Sequence, residues 1–305
     1  MLLIRCCAFL GFFAITFPTL QAAGHCPGKV ASIPLRVVEN SLVVVPVQVN
    51  HSGPYDFLVD TGAQISTIDR SLAAELHLKI EGMTGVSGVA TYSRSDWATI
   101  ELLQSGASSI PQSIALIQDI PQLRSADSRI RGILGDNFLE HFDLLIDNGQ
   151  HVLCLDETKA LARAVKGEHV ALVEPYGAED DLPFTRPMVV SAHLSAFHMR
   201  PVILRLDSGS NAPLLYAADR RVREVSAGGA LHLKRIVDGV EQVFAELPAQ
   251  SVQVVPRSIC QISFVIPMNS VGIGPPPRED GLLPTFAFQR VFISYADRYA
   301  VLQSW

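Results

Sequence analysis

An aspartate-centred motif occurs twice in this chain, and the repeat constrains the fold more than any other feature. Residues 57–63 read F-L-V-D-T-G-A, and residues 204–210 read L-R-L-D-S-G-S. With Asp60 placed over Asp207, three further blocks align in the same order: 110–114 with 255–259, 132–135 with 281–284, and 142–153 with 291–302. The two aspartates are 147 residues apart. That period is too long for a solenoid repeat and suits two similar domains.

The bulk composition agrees with two folded domains. A chain of 305 residues has room for two domains that each bury a core. With 48% apolar and 18% charged residues, it is neither a disordered chain nor a membrane bundle. The net charge of −6 and the absence of a long Lys/Arg run argue against a nucleic-acid partner. No Cys/His cluster suggests a metal site, and we expect no cofactor.

The N-terminus has the layout of a secretory signal peptide. Arg5 precedes an apolar run from Ala8 to Phe17, and T-L-Q-A-A-G follows at 19–24. A cut between Ala22 and Gly24 would remove residues 1–23. The run is short for a membrane span, although an uncleaved anchor remains an alternative. We therefore expect a secreted or periplasmic protein with no membrane contact after cleavage.

Export would permit disulfide bonds among the remaining cysteines. Cys26, Cys154 and Cys260 would stay in the exported chain, which allows one bridge and one free thiol. All three pairings are open from the sequence. We favour Cys26–Cys154, because both residues would flank the base of the first domain while Cys260 lies in the second.

Most of each repeat has the pattern of β-strands. The β-branched run at 43–49, the turn at 51–54 and the strand at 55–59 predict a hairpin before Asp60. A capping-box pattern at 66–69 predicts the start of a short helix. Segment 157–186 belongs to neither repeat and has the polar composition of a linker. The predicted units are a signal peptide, a first lobe, a linker and a second lobe, at 1–23, 24–156, 157–186 and 187–305.

The chemistry follows if the two domains face each other across a pseudo-two-fold axis. Asp60 and Asp207 would then meet in the cleft, and two adjacent carboxylates share one proton. One could take a proton from an attacking water while the other protonates the substrate carbonyl oxygen. Each aspartate is followed by a hydroxyl residue that could bond across the interface and by a glycine that lets the backbone approach. These supporting residues are Thr61, Gly62, Ser208 and Gly209.

The motifs D-T-G-A, D-S-G-S and G-I-L-G-D-N-F-L together resemble the pepsin/retropepsin superfamily of aspartic peptidases, in its retroviral and bacterial style. The resemblance covers residues 35–155 and 185–305. It implies an all-β fold of two homologous β-barrel-like lobes fused in one chain, with the active site between them. It further implies an aspartic endopeptidase with Asp60 and Asp207 as catalytic residues. The substrate would be a polypeptide, and one chain carrying both aspartates would act as a monomer.

The resemblance also predicts a flap. The candidate flap is the stretch 84–92, with Gly85, Gly88 and Tyr92, and its counterpart is 227–233 followed by a turn at 238–239. The sequence departs from the family pattern at two positions. Pro284 stands where the first repeat has Gly135 and could distort the second lobe, and Ser208 replaces threonine but keeps the hydroxyl.

Two other functions remain compatible with the sequence. An exported protein with a duplicated β-domain could bind extended peptides with little or no cleavage. A membrane-tethered processing protease would share the chemistry but keep residues 1–23. A dehalogenase-type phosphatase is excluded because it needs a second carboxylate two residues after the first, where this chain has Gly62 and Gly209.

Overall fold

The computed structural model describes residues 24–88, 92–176, 187–197, 201–216, 222, 231–237, 240–254, 257–268 and 278–305. The predicted signal peptide at 1–23 therefore lies outside the described residues. Within the described part of the chain, no helix has the length and apolar character needed to cross a membrane.

Strands dominate the first half of the chain. They are β1 (Ser32–Pro34), β2 (Arg36–Val38), β3 (Leu42–Val49), β4 (Ser52–Val59), β5 (Thr67–Asp69), β6 (Gly82–Ser87), β7 (Tyr92–Ser105), β8 (Ser108–Gln118), β9 (Ile130–Leu134), β10 (Asp143–Asp147) and β11 (Val152–Asp156). Three short helices interrupt them: α1 (Arg70–Glu75), α2 (Pro121–Ala126) and α3 (Asp136–Leu139). The predicted hairpin before Asp60 is formed by β3 and β4, which pair in antiparallel fashion.

The second half begins with one more helix, α4 (Ala160–Ala164), and continues in strands. They are β12 (Val170–Val173), β13 (Val189–Leu194), β14 (Pro201–Asp207), β15 (Leu214–Leu215), β16 (Leu231–Val237), β17 (Val240–Glu246), β18 (Gln250–Val254), β19 (Arg257–Ile262), β20 (Val265–Pro267), β21 (Gly281–Pro284), β22 (Arg290–Ser294) and β23 (Tyr299–Gln303). The prediction of an all-β fold is confirmed.

The two halves use the same order of paired strands. In the first half the order is β3-β4-β9-β5-β8-β7-β6, and in the second it is β13-β14-β21-β15-β20-β17-β16. A pairing of β3 with β7 closes the first set into a ring of six strands, as in a small barrel. In the second half, β18 pairs with β13 at the corresponding place. These matching pairings are compatible with the duplication predicted from the sequence.

Strands from both halves form one shared sheet. Strands β10 and β22 pair in antiparallel fashion at the centre, with Leu144 opposite Ile293. Strand β11 is the neighbour of β10 on one side, and β23 is the neighbour of β22 on the other. The next strands of the same sheet are β1 beside β11 and β12 beside β23. Strand β12 lies inside the segment 157–186 that the sequence analysis treats as a linker. It pairs with β23 much as β1 pairs with β11, so part of this segment is a strand of the shared sheet.

The strand that leads to Asp60 is anchored in the apolar core at its C-terminal end. Phe57, Leu58 and Val59 at the end of β4 are almost fully buried, while the polar start of the same strand is exposed or half-buried. One apolar core runs through both halves, from Phe57 and Phe138 to Phe264 and Phe288. The two aspartate motifs therefore follow strands that are fixed by the core.

Candidate active site

The loops that follow β4 and β14 bring Asp60 and Asp207 into direct contact. A hydrogen bond joins their side chains. Asp207 is buried and Asp60 is partly buried. Strand β4 lies parallel to β9 and strand β14 lies parallel to β21, so each aspartate stands at the end of a strand that has neighbours on both sides.

Backbone amides orient each carboxyl group in the same way. The Oδ1 atom of Asp60 accepts hydrogen bonds from the N–H groups of Gly62 at 2.8 Å and Ala63 at 3.1 Å. The Oδ1 atom of Asp207 accepts from Gly209 at 2.8 Å and Ser210 at 2.9 Å. These bonds leave the second oxygen of each carboxyl group to face the opposite loop.

The glycines of the two loops allow this close approach. A Cβ atom added at Gly62 would lie 2.6 to 2.9 Å from the carboxyl atoms of Asp207. A Cβ atom at Gly209 would collide with the carboxyl group of Asp60 in the same way. Carbon atoms are not tolerated at such distances, so each motif needs glycine because of the other motif's aspartate.

Thr61 and Ser208 connect the two loops below the carboxyl groups. The hydroxyl of Thr61 donates to the carbonyl of Leu206 at 2.7 Å and accepts from the N–H of Ser208 at 3.1 Å. The hydroxyl of Ser208 donates to the carbonyl of Val59 at 2.7 Å and accepts from the N–H of Thr61 at 3.1 Å. Both side chains are buried, and the four bonds hold the two loops in one fixed arrangement.

Burial and mutual repulsion control the ionisation of the pair. Desolvation, followed by the negative charge of Asp60, raises the pKa of Asp207 to about 8. Desolvation also raises the pKa of Asp60, against hydrogen bonds from Gly62 and Ala63 that lower it. Two coupled carboxyl groups of this kind hold one proton between them well above the ordinary range of a carboxylic acid.

Comparison with known families agrees with this arrangement. Residues 45–138, which contain the Asp60 loop and the β9 strand beside it, match the family model described as aspartyl protease. Within this segment the chain is therefore similar to aspartyl proteases. A crystal structure of a retropepsin-like aspartic protease from Rickettsia conorii is also similar, with 19% identity over 41% of this chain and 90% of that one and a TM-score of 0.30. No curated protein matches the sequence significantly.

The candidate site also contains a buried ion pair that the sequence patterns did not predict. Arg205 in β14 contacts Glu279, which precedes β21, and it also donates to the carbonyl of Gly62 in the opposite loop at 2.9 Å. The signal was present in the motif itself, because L-R-L-D carries a charge where F-L-V-D has Leu58.

A second buried contact between the halves was also missed. The hydroxyl of Tyr295 donates to Oδ1 of Asp136 at 2.8 Å. Desolvation raises the pKa of Asp136 well above its ordinary value, although the Tyr295 bond opposes this. Asp136 follows the G-I-L-G segment and Tyr295 follows β22, so no local pattern predicts that they meet.

Pro284 is accommodated in the second half without breaking β21. It is the last residue of that strand and lies opposite Asp207 in the parallel pairing. In the first half, the N–H of Gly135 donates to the hydroxyl of Ser66 at 3.0 Å. Proline has no N–H to donate, and the position that corresponds to Ser66 is Pro213, which has no hydroxyl. Donor and acceptor are therefore both absent in the second half.

The residues of the candidate flap lie in one hairpin. Gly85 is in β6, Tyr92 begins β7, and the hydroxyl of Tyr92 lies against Gly85. Gly88 is exposed at the end of the first strand, and residues 89–91 at the tip lie outside the described part of the chain. The proposed counterpart lies largely outside it too, since residues 227–230 and 238–239 are not described.

The structure joins Cys26 and Cys154 by a disulfide bond. Both cysteines are buried in a small cluster with Leu145, Leu161 and Phe292. The bond attaches the segment before β1 to β11, at the base of the first half. Among the described residues, no group of three or more His, Cys, Asp or Glu side chains is placed to hold a metal ion.

Proposed function

We propose that this protein is an exported aspartic endopeptidase in which Asp60 and Asp207 activate a water molecule. The observation that carries the proposal is the reciprocal set of bonds between Thr61 and Ser208, which places the two carboxyl groups in hydrogen-bond contact. A general base and a general acid are then available at one point, which is what hydrolysis of an amide requires.

The reaction follows from one proton shared by two carboxyl groups. The ionised carboxylate accepts a proton from water as the water oxygen attacks the scissile carbonyl carbon. The protonated carboxyl group gives its proton to the carbonyl oxygen, which yields a neutral tetrahedral diol. A hydroxyl of the diol then gives its proton to the carboxylate, the C–N bond breaks, and the leaving amine takes the proton of the other carboxyl group. The pair ends in its starting state, with one proton.

The pKa values support activity near neutral pH. Because desolvation and the charge of Asp60 raise the pKa of Asp207 to about 8, the pair keeps its proton at pH 7. Cleavage should therefore decline as the pH rises through about 8, when both carboxyl groups become ionised.

The proposal of export draws on two observations. The sequence at 1–23 has the layout of a signal peptide. A disulfide between Cys26 and Cys154 belongs to an oxidising compartment such as the periplasm or the extracellular space. Intact-mass analysis of protein from a secreting host tests this, because cleavage would leave an N-terminus between Ala22 and Gly24.

The catalytic proposal is tested by cleavage of unfolded casein from pH 3 to about 10, which spans the predicted decline. Wild type is compared with Asp60→Asn and Asp207→Asn, which keep the side-chain shape but cannot ionise. Asp119→Asn is the matched control, since the Asp119 side chain is 65% exposed. We expect cleavage by wild type and the control only. Peptide binding without cleavage by all four proteins would instead support the peptide-binding alternative.

A further inference from the structure

Arg205 is a buried cation inside a strand that leads to the dyad. It lies two residues before Asp207 in β14, and only 12% of its side chain is exposed. Its Nη1 donates to the carbonyl oxygen of Gly62 at 2.9 Å. Gly62 belongs to the loop of Asp60, so Arg205 extends from the second half of the molecule to the catalytic loop of the first.

Glu279 holds Arg205 in this position. Its side chain is only 5% exposed, and its two oxygens lie 3.1 Å from Nε and 3.1 Å from Nη2 of Arg205. Of these two contacts, the one from Nη2 is a hydrogen bond, and it is assisted by the opposite charges of the two groups. The remaining nitrogen is then directed at Gly62.

The first half of the molecule makes the same position apolar. Leu58 corresponds to Arg205 and Ile130 corresponds to Glu279 in the aligned repeats. Both are buried and pack in the same apolar cluster. Burying an ion pair costs desolvation energy that an apolar pair avoids, so the fold itself does not require charges at this place. We therefore expect the charged pair Arg205–Glu279 to have a role in the catalytic site that it contacts.

We propose that Arg205, oriented by Glu279, is a positioning residue for the dyad that fixes the Gly62 loop and favours the ionised form of the two carboxyl groups. This inference rests on the proposed function, because it assigns Arg205 a part in setting the pH range of cleavage. Arg205 touches no reacting atom, so it acts through Gly62 and through its charge.

The charges around the dyad determine the direction in which each variant should shift the pKa of the two carboxyl groups. The positive charge of Arg205 lowers the pKa of Asp60 and Asp207, in opposition to burial. Asp136 and Tyr295 also face Asp60. The negative charge of Glu279 partly cancels that of Arg205. Neutralising Glu279 should therefore make the dyad ionise at lower pH, while removing Arg205 should make it ionise at higher pH.

Two variants separate these effects from simple damage to the fold. Glu279→Gln keeps the side-chain size and removes the negative charge. The double variant Arg205→Leu/Glu279→Ile reproduces the apolar pair of the first half, a replacement that proteins commonly tolerate. Glu75→Gln is the matched control, because Glu75 forms an exposed ion pair with Arg131.

The measurement is the titration of the aspartate carboxyl carbons by NMR, with ¹³C-labelled aspartate in the purified protein. The dyad signals are those that disappear in Asp60→Asn and Asp207→Asn. We expect the midpoint to fall by about half a pH unit in Glu279→Gln and to rise by about one in the double variant. The control should match wild type. The pH range of casein cleavage should move in the same directions.

The inference is overturned if the dyad of a folded variant titrates at the wild-type pH or moves in the opposite direction. Either variant decides the question alone, so failure of one to fold leaves the test intact. The titration needs no catalysis. If wild type cleaves no substrate, the proposed function fails while the titration still decides the role of Arg205. If wild type cleaves and the midpoints stay fixed, only the inference about Arg205 fails.

Discussion

Thr61 and Ser208 form the same pair of hydrogen bonds to each other's strands, with equal distances. Each hydroxyl donates to the carbonyl that precedes the opposite aspartate at 2.7 Å and accepts from the opposite hydroxyl residue's N–H at 3.1 Å. Two residues 147 positions apart are thus in equivalent environments. This local two-fold relationship is what brings Asp60 and Asp207 together.

Removal of the Thr61 hydroxyl should destabilise the protein. In Thr61→Val, the N–H of Ser208 and the carbonyl of Leu206 lose a partner in a buried site. We expect a loss of about 1 to 3 kcal/mol in the free energy of unfolding, measured by urea denaturation. Ser208→Thr is the matched control, because it keeps the hydroxyl and makes the second motif D-T-G. Equal stability of Thr61→Val and wild type would contradict the assigned role.

A methyl group on either loop glycine should abolish cleavage while leaving the protein folded. In Gly62→Ala the new carbon would displace the carboxyl group of Asp207, from which it would be 2.6 to 2.9 Å away. A displacement of this size can lower kcat/KM by about 100-fold or more. Gly149→Ala is the control, since its nearest neighbours are side-chain atoms of Gln289 at 3.1 and 3.2 Å. Wild-type cleavage by a folded Gly62→Ala protein would argue against the close approach of the loops.

Asp136 should make the protein less stable as the pH rises. Burial raises its pKa well above the ordinary value, so above about pH 4 the folded state keeps a proton that the unfolded state has lost. The contribution of this group is therefore complete at low pH and declines with increasing pH. The contribution of Asp136 to the free energy of unfolding falls by at most about 1.4 kcal/mol per pH unit.

Asp136→Asn removes that contribution, because an amide does not titrate. We expect urea denaturation at pH 5 and pH 8 to show a smaller loss of stability for the variant than for wild type. Asp119→Asn, at an exposed position, should behave as wild type does. The same loss in Asp136→Asn and wild type would show that Asp136 is ionised in the folded protein.

The Cys26–Cys154 bond should contribute measurably to stability. It closes a segment with a sequence separation of 128 residues, and a cross-link of that span restricts the unfolded chain strongly. The double variant Cys26→Ala/Cys154→Ala should lose about 2 to 4 kcal/mol in the free energy of unfolding. The control Cys260→Ser should not lose this stability. Peptide mapping of the oxidised protein should find Cys26 joined to Cys154, and a bond to Cys260 would contradict the structure.

The repeat in the sequence predicted much of the fold around the site. The apolar runs before each aspartate predicted strands. Two of the aligned blocks form equivalent parallel pairs, β4 with β9 in the first half and β14 with β21 in the second. The hairpin β3–β4 was predicted from β-branched residues and a polar turn. These features are local or repeated, so a single sequence carries them.

Contacts between residues far apart in the chain were not predictable. The capping-box pattern placed a helix start at Ser66, but Ser66 instead bonds to Asn137 and Gly135, and β5 continues to Asp69. Asp69 caps α1 through the N–H of Ser71 at 3.0 Å. The Asp136–Tyr295 pair was missed for the same reason. The motif L-R-L-D did contain the charge of Arg205, but no local pattern related Arg205 to its partner Glu279.

In the proposed enzyme, one chain supplies both carboxyl groups of the dyad. The most direct test is the specific activity of monomeric protein on casein at concentrations that span a 100-fold range, with Asp60→Asn and Asp207→Asn measured alone and mixed. We expect a wild-type specific activity that is independent of concentration, and no activity from either variant or their mixture. Activity of Asp207→Asn that rises with concentration would contradict this expectation, because two Asp60 loops from different chains would then form the site.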